Sequence, residues 1–234
     1  MDQGLDMARV LGGLETRVDA WRFVRAFAAD WAAPVTDADG FADEALDVAE
    51  AALGVCMPAA VRDAYRLFGR RRDLTSGNGD LYSPDQLRYD AAADVLVFRA
   101  AHQAVAFFGV SLADKAAPDP QVLLYTTYQD KTQESWQPFL DRFSLACVDM
   151  VLWEMVEAGP HSDARDETND DQAALADDLT AVPFPRYPDE FGSQWYVSAD
   201  IILRHDPGWI AVAARTPEAL DAFRHSHPGG WVNE

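Results

Sequence analysis

Apolar positions along this chain follow two periods, and each change of period marks an element. Between residues 5 and 31 they recur every third or fourth position, as Val18, Trp21, Phe23, Val24, Phe27 and Trp31, with Arg17, Arg22 and Arg25 between them. That spacing predicts an amphipathic helix packed on a core. Pro34 and the run Thr36-Asp37-Ala38-Asp39-Gly40 end it in a loop. A second helix is predicted from Asp43 to Leu53, with Ala45, Val48, Ala49, Ala52 and Leu53 inward and Gly54 as its left-handed cap. Pro58 suits the first turn of a third helix, where a missing N–H has no partner to lose. That helix turns Val61, Ala64, Tyr65 and Phe68 inward and stops at Gly69.

The pattern then shortens. Val95 to Ala100 and Gln103 to Val110 are β-branched or aromatic runs, too short for a typical helix and apolar on both alternating sides. They predict two central strands joined across Ala101-His102, a connection without the Asn-Gly of an ideal tight turn. Two helices cannot bury their inner faces against a lone hairpin, so the pair belongs at the centre of a larger antiparallel sheet. A short edge strand is expected near Gln86 to Tyr89, and a third strand from Val122 to Tyr128. Trp136-Gln137-Pro138 opens the longest predicted helix, which runs to Glu157 with Phe139, Phe143, Ala146, Cys147, Met150, Val151 and Glu154 along one side.

Residues 159–182 are polar and acidic, with Asp163, Asp166, Glu167, Asp170, Asp171, Asp177 and Asp178 opposed by Arg165, and read as a solvated linker or helix surface, with a binding segment for a basic partner as the alternative. Phe184 to Pro188 continues as extended chain, and Gln194 to Val197, Ile201 to Arg204 and Trp209 to Ala214 read as short strands. Thr216-Pro217-Glu218 caps a last helix to about His225. Three late strands are few for an independent fold, so they are expected to extend the first sheet. The predicted class is α+β: one domain with a central antiparallel sheet covered by helices, its core at 45–157 and a C-terminal extension at 183–234.

Composition adds to this picture. Hydrophobic residues make up 49% of the 234, with seven Trp and twelve Phe, enough for a sizeable core. The net charge of -20 and a pI near 4.4 have the wrong sign for a phosphate-binding surface, which argues against direct nucleic-acid binding. Two readings of the acidity stand side by side. One is a surface complementary to a basic protein. The other is a GC-rich or salt-adapted genome, suggested by lysine occurring only at Lys115 and Lys131 amid abundant Arg and Ala. Arg70-Arg71-Arg72, at a predicted helix C-terminus, reads as complementing the helix dipole and nearby acids, with a phosphate or carboxylate site as the alternative. Cys56 and Cys147 lie far apart in apolar stretches and read as buried reduced thiols. With no basic leader and no apolar run near the ~20 residues that span a bilayer, the expectation is a cytoplasmic protein without a membrane partner.

Motifs for chemistry are sparse. His102, His161, His205, His225 and His227 form no HExxH pattern and the cysteine spacing does not suit zinc, so neither metal nor cofactor is expected. Nucleophile-elbow, P-loop and dinucleotide-binding patterns are missing too, and Gly77-Asn78-Gly79 reads as a turn rather than a phosphate nest. No catalytic residue is nominated.

The order of segments nevertheless carries a likeness. Ala49-Glu50-Ala51-Ala52-Leu53-Gly54-Val55-Cys56-Met57-Pro58, then Tyr65-Arg66-Leu67-Phe68-Gly69-Arg70, Leu81, Leu87, Val95-Leu96-Val97-Phe98-Arg99, Gln103, Phe108-Gly109-Val110 and Pro118-Asp119-Pro120-Gln121-Val122 resemble the SUKH superfamily over residues 45–155. The resemblance implies helices packed on a central sheet and a non-catalytic role. Many bacterial members look like immunity proteins that neutralise polymorphic toxins, often nucleases, by binding them. The chain departs from the pattern at Ala101 and His102, where an acid and an Asn are usual, and at Phe108, where Trp is usual; both sites lie near the presumed ligand face. Candidate partner contacts are Asp80, Tyr82, His102, Phe108, Asp114, Asp119 and Trp136, with Tyr82 and Trp136 as aromatic anchors. The expected partner is a basic protein, a cognate toxin domain, drawn in by long-range attraction. A scaffold or peptide-binding module of the same fold is the alternative, and an unrecognised hydrolase the third reading.

Overall fold

The computed structural model describes residues 5–127, 134–168, 171–185 and 192–233. Its class is α+β. The first predicted helix is two helices, α1 (Met7–Leu11) and α2 (Arg17–Trp31), because Gly12-Gly13 interrupts the chain and Thr16 starts a new helix. The Thr16 hydroxyl accepts from the Asp19 N–H while Asp19 accepts from the Thr16 N–H, a capping box. Helix α3 (Asp43–Leu53) ends at Gly54, whose φ of 71° is the left-handed conformation glycine adopts without cost. It buries Leu46 and Ala49 and leaves Val48 69% exposed, so its inward side is rotated from the expected one. Helix α4 (Ala59–Phe68) follows Pro58 and buries Val61, Ala64, Tyr65 and Phe68 as predicted. A single turn, α5 (Arg72–Thr75), follows, with Arg71 held by Asp73 and Asp39.

Among the described residues the first sheet is antiparallel and has six strands: β1 (Gly79–Leu81), β2 (Arg88–Asp90), β3 (Val95–Ala101), β4 (Ala106–Ser111), β5 (Val122–Thr126) and β6 (Trp136–Leu140). The order is β1-β3-β4-β5-β6, with β2 also on β3. Strands β3 and β4 are central, as their two-sided apolar pattern predicts. Their connection is a turn in which Val105 N–H donates to the His102 carbonyl and Gln103 and Ala104 have φ of 54° and 55°. Two positive φ values match the twist of a hairpin even without glycine. Val105 therefore leaves the strand and is 53% exposed. The end of the predicted third strand at Tyr128 lies outside the described residues.

The segment opening at Trp136 is not helical. Residues 136–140 form β6 against β5, and Pro138 explains why: it has no N–H for a ladder and fits at a sheet edge. Helix α6 (Phe143–Ala158) begins after it, its first turn held by Asp119, which accepts from the Ser144 N–H and hydroxyl. Twelve of its sixteen residues are buried, the mark of a helix enclosed on all sides. It packs on α2, α4 and α5 and also on strands of a second sheet.

That second sheet corrects two expectations. The C-terminal strands do not extend the first sheet; they form their own, ordered β7 (Ser162–Asp166), β11 (Trp209–Ala214), β10 (Ile201–Asp206), β9 (Gln194–Val197), β8 (Thr180–Val182). Nor is 159–182 a solvated linker, since it supplies β7, helix α7 (Asp171–Asp178) and β8. Three of its charges are internal: Arg165 is 1% exposed and forks onto Asp171 at 2.5 and 2.7 Å, and Asp163 is buried against Arg224 of helix α8 (Pro217–Ser226), whereas Asp166, Asp177 and Asp178 are exposed. Desolvation pushes the Asp171 carboxyl up, but Arg165 and Thr168 outweigh it and hold its pKa at about 2. The extended stretch expected at Arg186 to Pro188 lies outside the described residues.

Residues of the second sheet alternate between two clusters. Trp195, Val197, Ile202, Ala211 and Ala213 join the main core, while Tyr196, Leu203, Ile210 and Val212 pack with Leu175, Leu220, Phe223 and Trp231. Both thiols are free, Cys147 buried and Cys56, against expectation, exposed. No helix among the described residues is long and apolar enough to cross a membrane.

Candidate functional site

The two faces of the first sheet differ. Facing the helices, Phe98 meets Phe143 edge-on at 5.0 Å and Phe108 meets Phe139 at 5.2 Å. On the other face, register brings Phe107, Tyr125 and Trp136 opposite one another across β4, β5 and β6. All three stay partly exposed. With Arg88, Tyr89, Asp90 and Val97 they line an open groove of about 280 Å³. Gly109 makes room for this arrangement: a Cβ there would lie 3.0 Å from the Trp136 indole and 2.2 Å from Val95. The indole therefore lies close on the sheet, 5.4 Å from the Tyr125 ring.

Each polar aromatic of the groove donates to a carboxylate. Trp136 Nε1 donates to Asp90 at 2.9 Å, the Tyr125 hydroxyl to Glu134 at 2.9 Å, and the Tyr89 hydroxyl to Asp94 at 2.8 Å. Asp90 also accepts from the N–H groups of Ala92 at 3.0 Å and Ala93 at 3.3 Å. The Trp136 bond, helped by these two, holds the Asp90 carboxyl below the usual range despite some burial. The Asp94 bond raises the Tyr89 hydroxyl above its ordinary value. At neutral pH the groove thus carries fixed negative charge beside aromatic faces. Arg88 lies with its guanidinium 5.3 Å from the Tyr82 ring and makes no ion pair with a described residue.

The nominated contacts do not form one site. Trp136 is in the groove, and Asp80 sits partly exposed on β1, accepting from Ser76 at 3.1 Å. His102 is exposed at the β3–β4 turn, and Asp114 is exposed in the next loop, where it accepts from the Ala116 N–H. The other three are engaged within the fold. Tyr82 is 8% exposed, with its carbonyl taken by the Tyr65 hydroxyl at 2.7 Å, Phe108 is 4% exposed in the core, and Asp119 caps α6. Phe108 and Tyr82 are buried because a strand or loop aromatic serves whichever face its register selects, and register is not written in the local residues.

Sequence reasoning missed Tyr89, Asp90, Phe107 and Tyr125. The available signal was the alternation of Phe107 with Phe108 and of Tyr125 with Leu124 in strands apolar on both faces. It also took Gly77-Asn78-Gly79 as a plain turn. The three N–H groups do form a nest, filled from inside by Glu154: Gly77 and Asn78 donate to Oε2 at 2.5 and 2.7 Å, and Gly79 to Oε1 at 3.1 Å. Arg99 completes the arrangement at 2.6 Å, both partners being buried. Nearby, burial raises the Glu157 carboxyl above its usual value, though Arg204 opposes the shift.

Among the described residues no group of three or more His, Cys, Asp or Glu is placed to hold a metal ion. His225 is exposed while His227 is buried and stacked on Phe223 at 4.3 Å. What the groove offers is recognition chemistry: aromatic faces beside anchored carboxylates suit a cation. No protein-family model, curated protein or solved structure matches the chain.

Proposed function

We propose that this is a non-catalytic binding protein for a basic protein partner, acting as an immunity protein of the SUKH type that neutralises a polymorphic toxin by contact. The observation that carries the reading is the outer face of the first sheet, where Phe107, Tyr125 and Trp136 stay partly exposed beside Asp90, Asp94 and Glu134. Aromatic anchors ringed by charge are the usual make-up of a tight interface. Charge placement supports it. Arg62, Arg66, Arg71, Arg99, Arg165, Arg204, Arg215 and Arg224 are all in internal ion pairs, so much of the positive charge is matched within the fold and the net -20 falls on the remaining exterior. Such a field speeds encounter with a cationic partner and weakens as salt rises.

The test is to look in the neighbouring reading frame for a long secreted protein with a basic C-terminal domain and to co-express that domain with this chain. The proposal expects growth to be rescued and a complex whose Kd rises steeply between low and physiological salt. A neighbouring toxin that the protein neither binds nor blocks would contradict it, and a neighbourhood that encodes no such domain would also count against the proposal.

A further inference from the structure

Four times the fold builds the same small device. Arg99 lies 5.2 Å from the rings of Phe108 and Trp153 and pairs with Glu154, and Arg165 lies 4.9 Å from Trp231 and pairs with Asp171. Arg204 lies 3.9 Å from Trp153 and pairs with Asp206, and Arg215 lies 4.9 Å from Trp31 and pairs with Asp30. Each device is a guanidinium on an aromatic ring, held at its edge by a carboxylate. The groove has the ring and the carboxylate of a fifth, Trp136 with Asp90, and Phe107 and Tyr125 beside them.

We infer that the groove receives an arginine side chain from the partner, which completes the fifth device. This rests on the protein-binding reading above and names the chemistry of its contact. Three details favour a guanidinium. Asp90 accepts three hydrogen bonds, and a carboxylate offers about four acceptor positions, so one remains for an incoming N–H. Those same bonds hold Asp90 ionised and oriented before the partner arrives. A guanidinium is planar and less strongly hydrated than an ammonium, so it stacks on an open aromatic surface where lysine would keep its water. The wall residue Arg88 lies over the Tyr82 ring.

The probe is a glycine-serine peptide carrying four arginines, compared with the same peptide carrying citrulline or lysine. Binding to the full chain is followed at low salt by calorimetry and by the Trp136 indole N–H resonance. The arginine peptide should move that resonance, the citrulline peptide should not, and lysine should bind several-fold more weakly. Asp90→Asn and Phe107→Ala should each weaken the arginine peptide about tenfold, while Asp221→Asn on α8 leaves it unchanged. Phe107 is partly exposed, and a wild-type melting curve for either variant shows that the fold is kept. Equal binding of arginine and lysine or citrulline peptides, or unaltered binding by folded groove variants, would overturn the inference. If a basic toxin domain binds but the groove variants bind it equally well, the arginine site falls and the binding function stands. If no cationic protein or peptide binds at all, both fall.

Discussion

The two sheets solve the same problem differently. In the second, every other residue of β9, β10 and β11 faces α6 and the rest face α7, α8 and Trp231, so both faces are covered from within the chain. In the first, one face lies under the helices, and the other ends in partly exposed Phe107, Leu123, Tyr125 and Trp136. An apolar strand pattern is therefore common to both, but among the described residues just one is covered on both faces. Aromatic residues left partly exposed on a folded sheet are the informative exception, because the second sheet shows that this chain can cover such a face.

That contrast predicts where substitutions hurt stability and where they hurt recognition. The largest loss is expected at Glu154, whose carboxylate serves three backbone N–H groups and Arg99. Removing it as Glu154→Ala strands a buried guanidinium and should cost about 3 to 5 kcal/mol in urea unfolding. Next comes the direct comparison of sheets. Ile202→Ala, at a fully buried position, should cost about 2 to 5 kcal/mol, whereas Phe107→Ala should cost less than about 1 kcal/mol. Equal losses would mean that the outer face is as essential to folding as the covered ones.

A smaller effect concerns acid. The Asp171 carboxyl has a folded pKa of about 2 against an ordinary 3.8, so its contribution is present above pH 4 and lost as pH falls through 2. The contribution should be about 1 to 2 kcal/mol, and Asp171→Asn should flatten the stability curve over that window. The smallest change is a gain. Ala104 holds a φ of 55°, which glycine adopts without strain, so Ala104→Gly should stabilise the hairpin by about 0.4 to 1 kcal/mol, read from the melting temperature.

Much of the first half of the fold was legible because its signals are local. Capping at Gly54, the inward stripe of α4 and the buried side of α6 all follow from residues within one or two turns. Helix α3 was read with the wrong face, since alanines on every side leave little contrast between Leu46 and Val48. The second sheet was hidden for a different reason. Asp163, Arg165 and Asp171 look like solvent-facing charge until Arg224, 61 residues beyond Asp163, comes into view. Trp136 stood out as an anchor, but Asp90 is joined to it across 46 residues by one hydrogen bond, a pairing that only strand register creates. Glu154, by contrast, was visible as an acid on the apolar side of α6, and its partners at Gly77 to Gly79 were read separately as a turn.

The most direct test is hydrogen exchange of the whole chain with and without a basic toxin domain that it binds or, lacking one, the four-arginine peptide. The outer-face account predicts slowed exchange in β2, β4, β5 and β6 around Trp136, with β9, β10 and β11 unchanged. Protection confined to α7, α8 and the second sheet would contradict it.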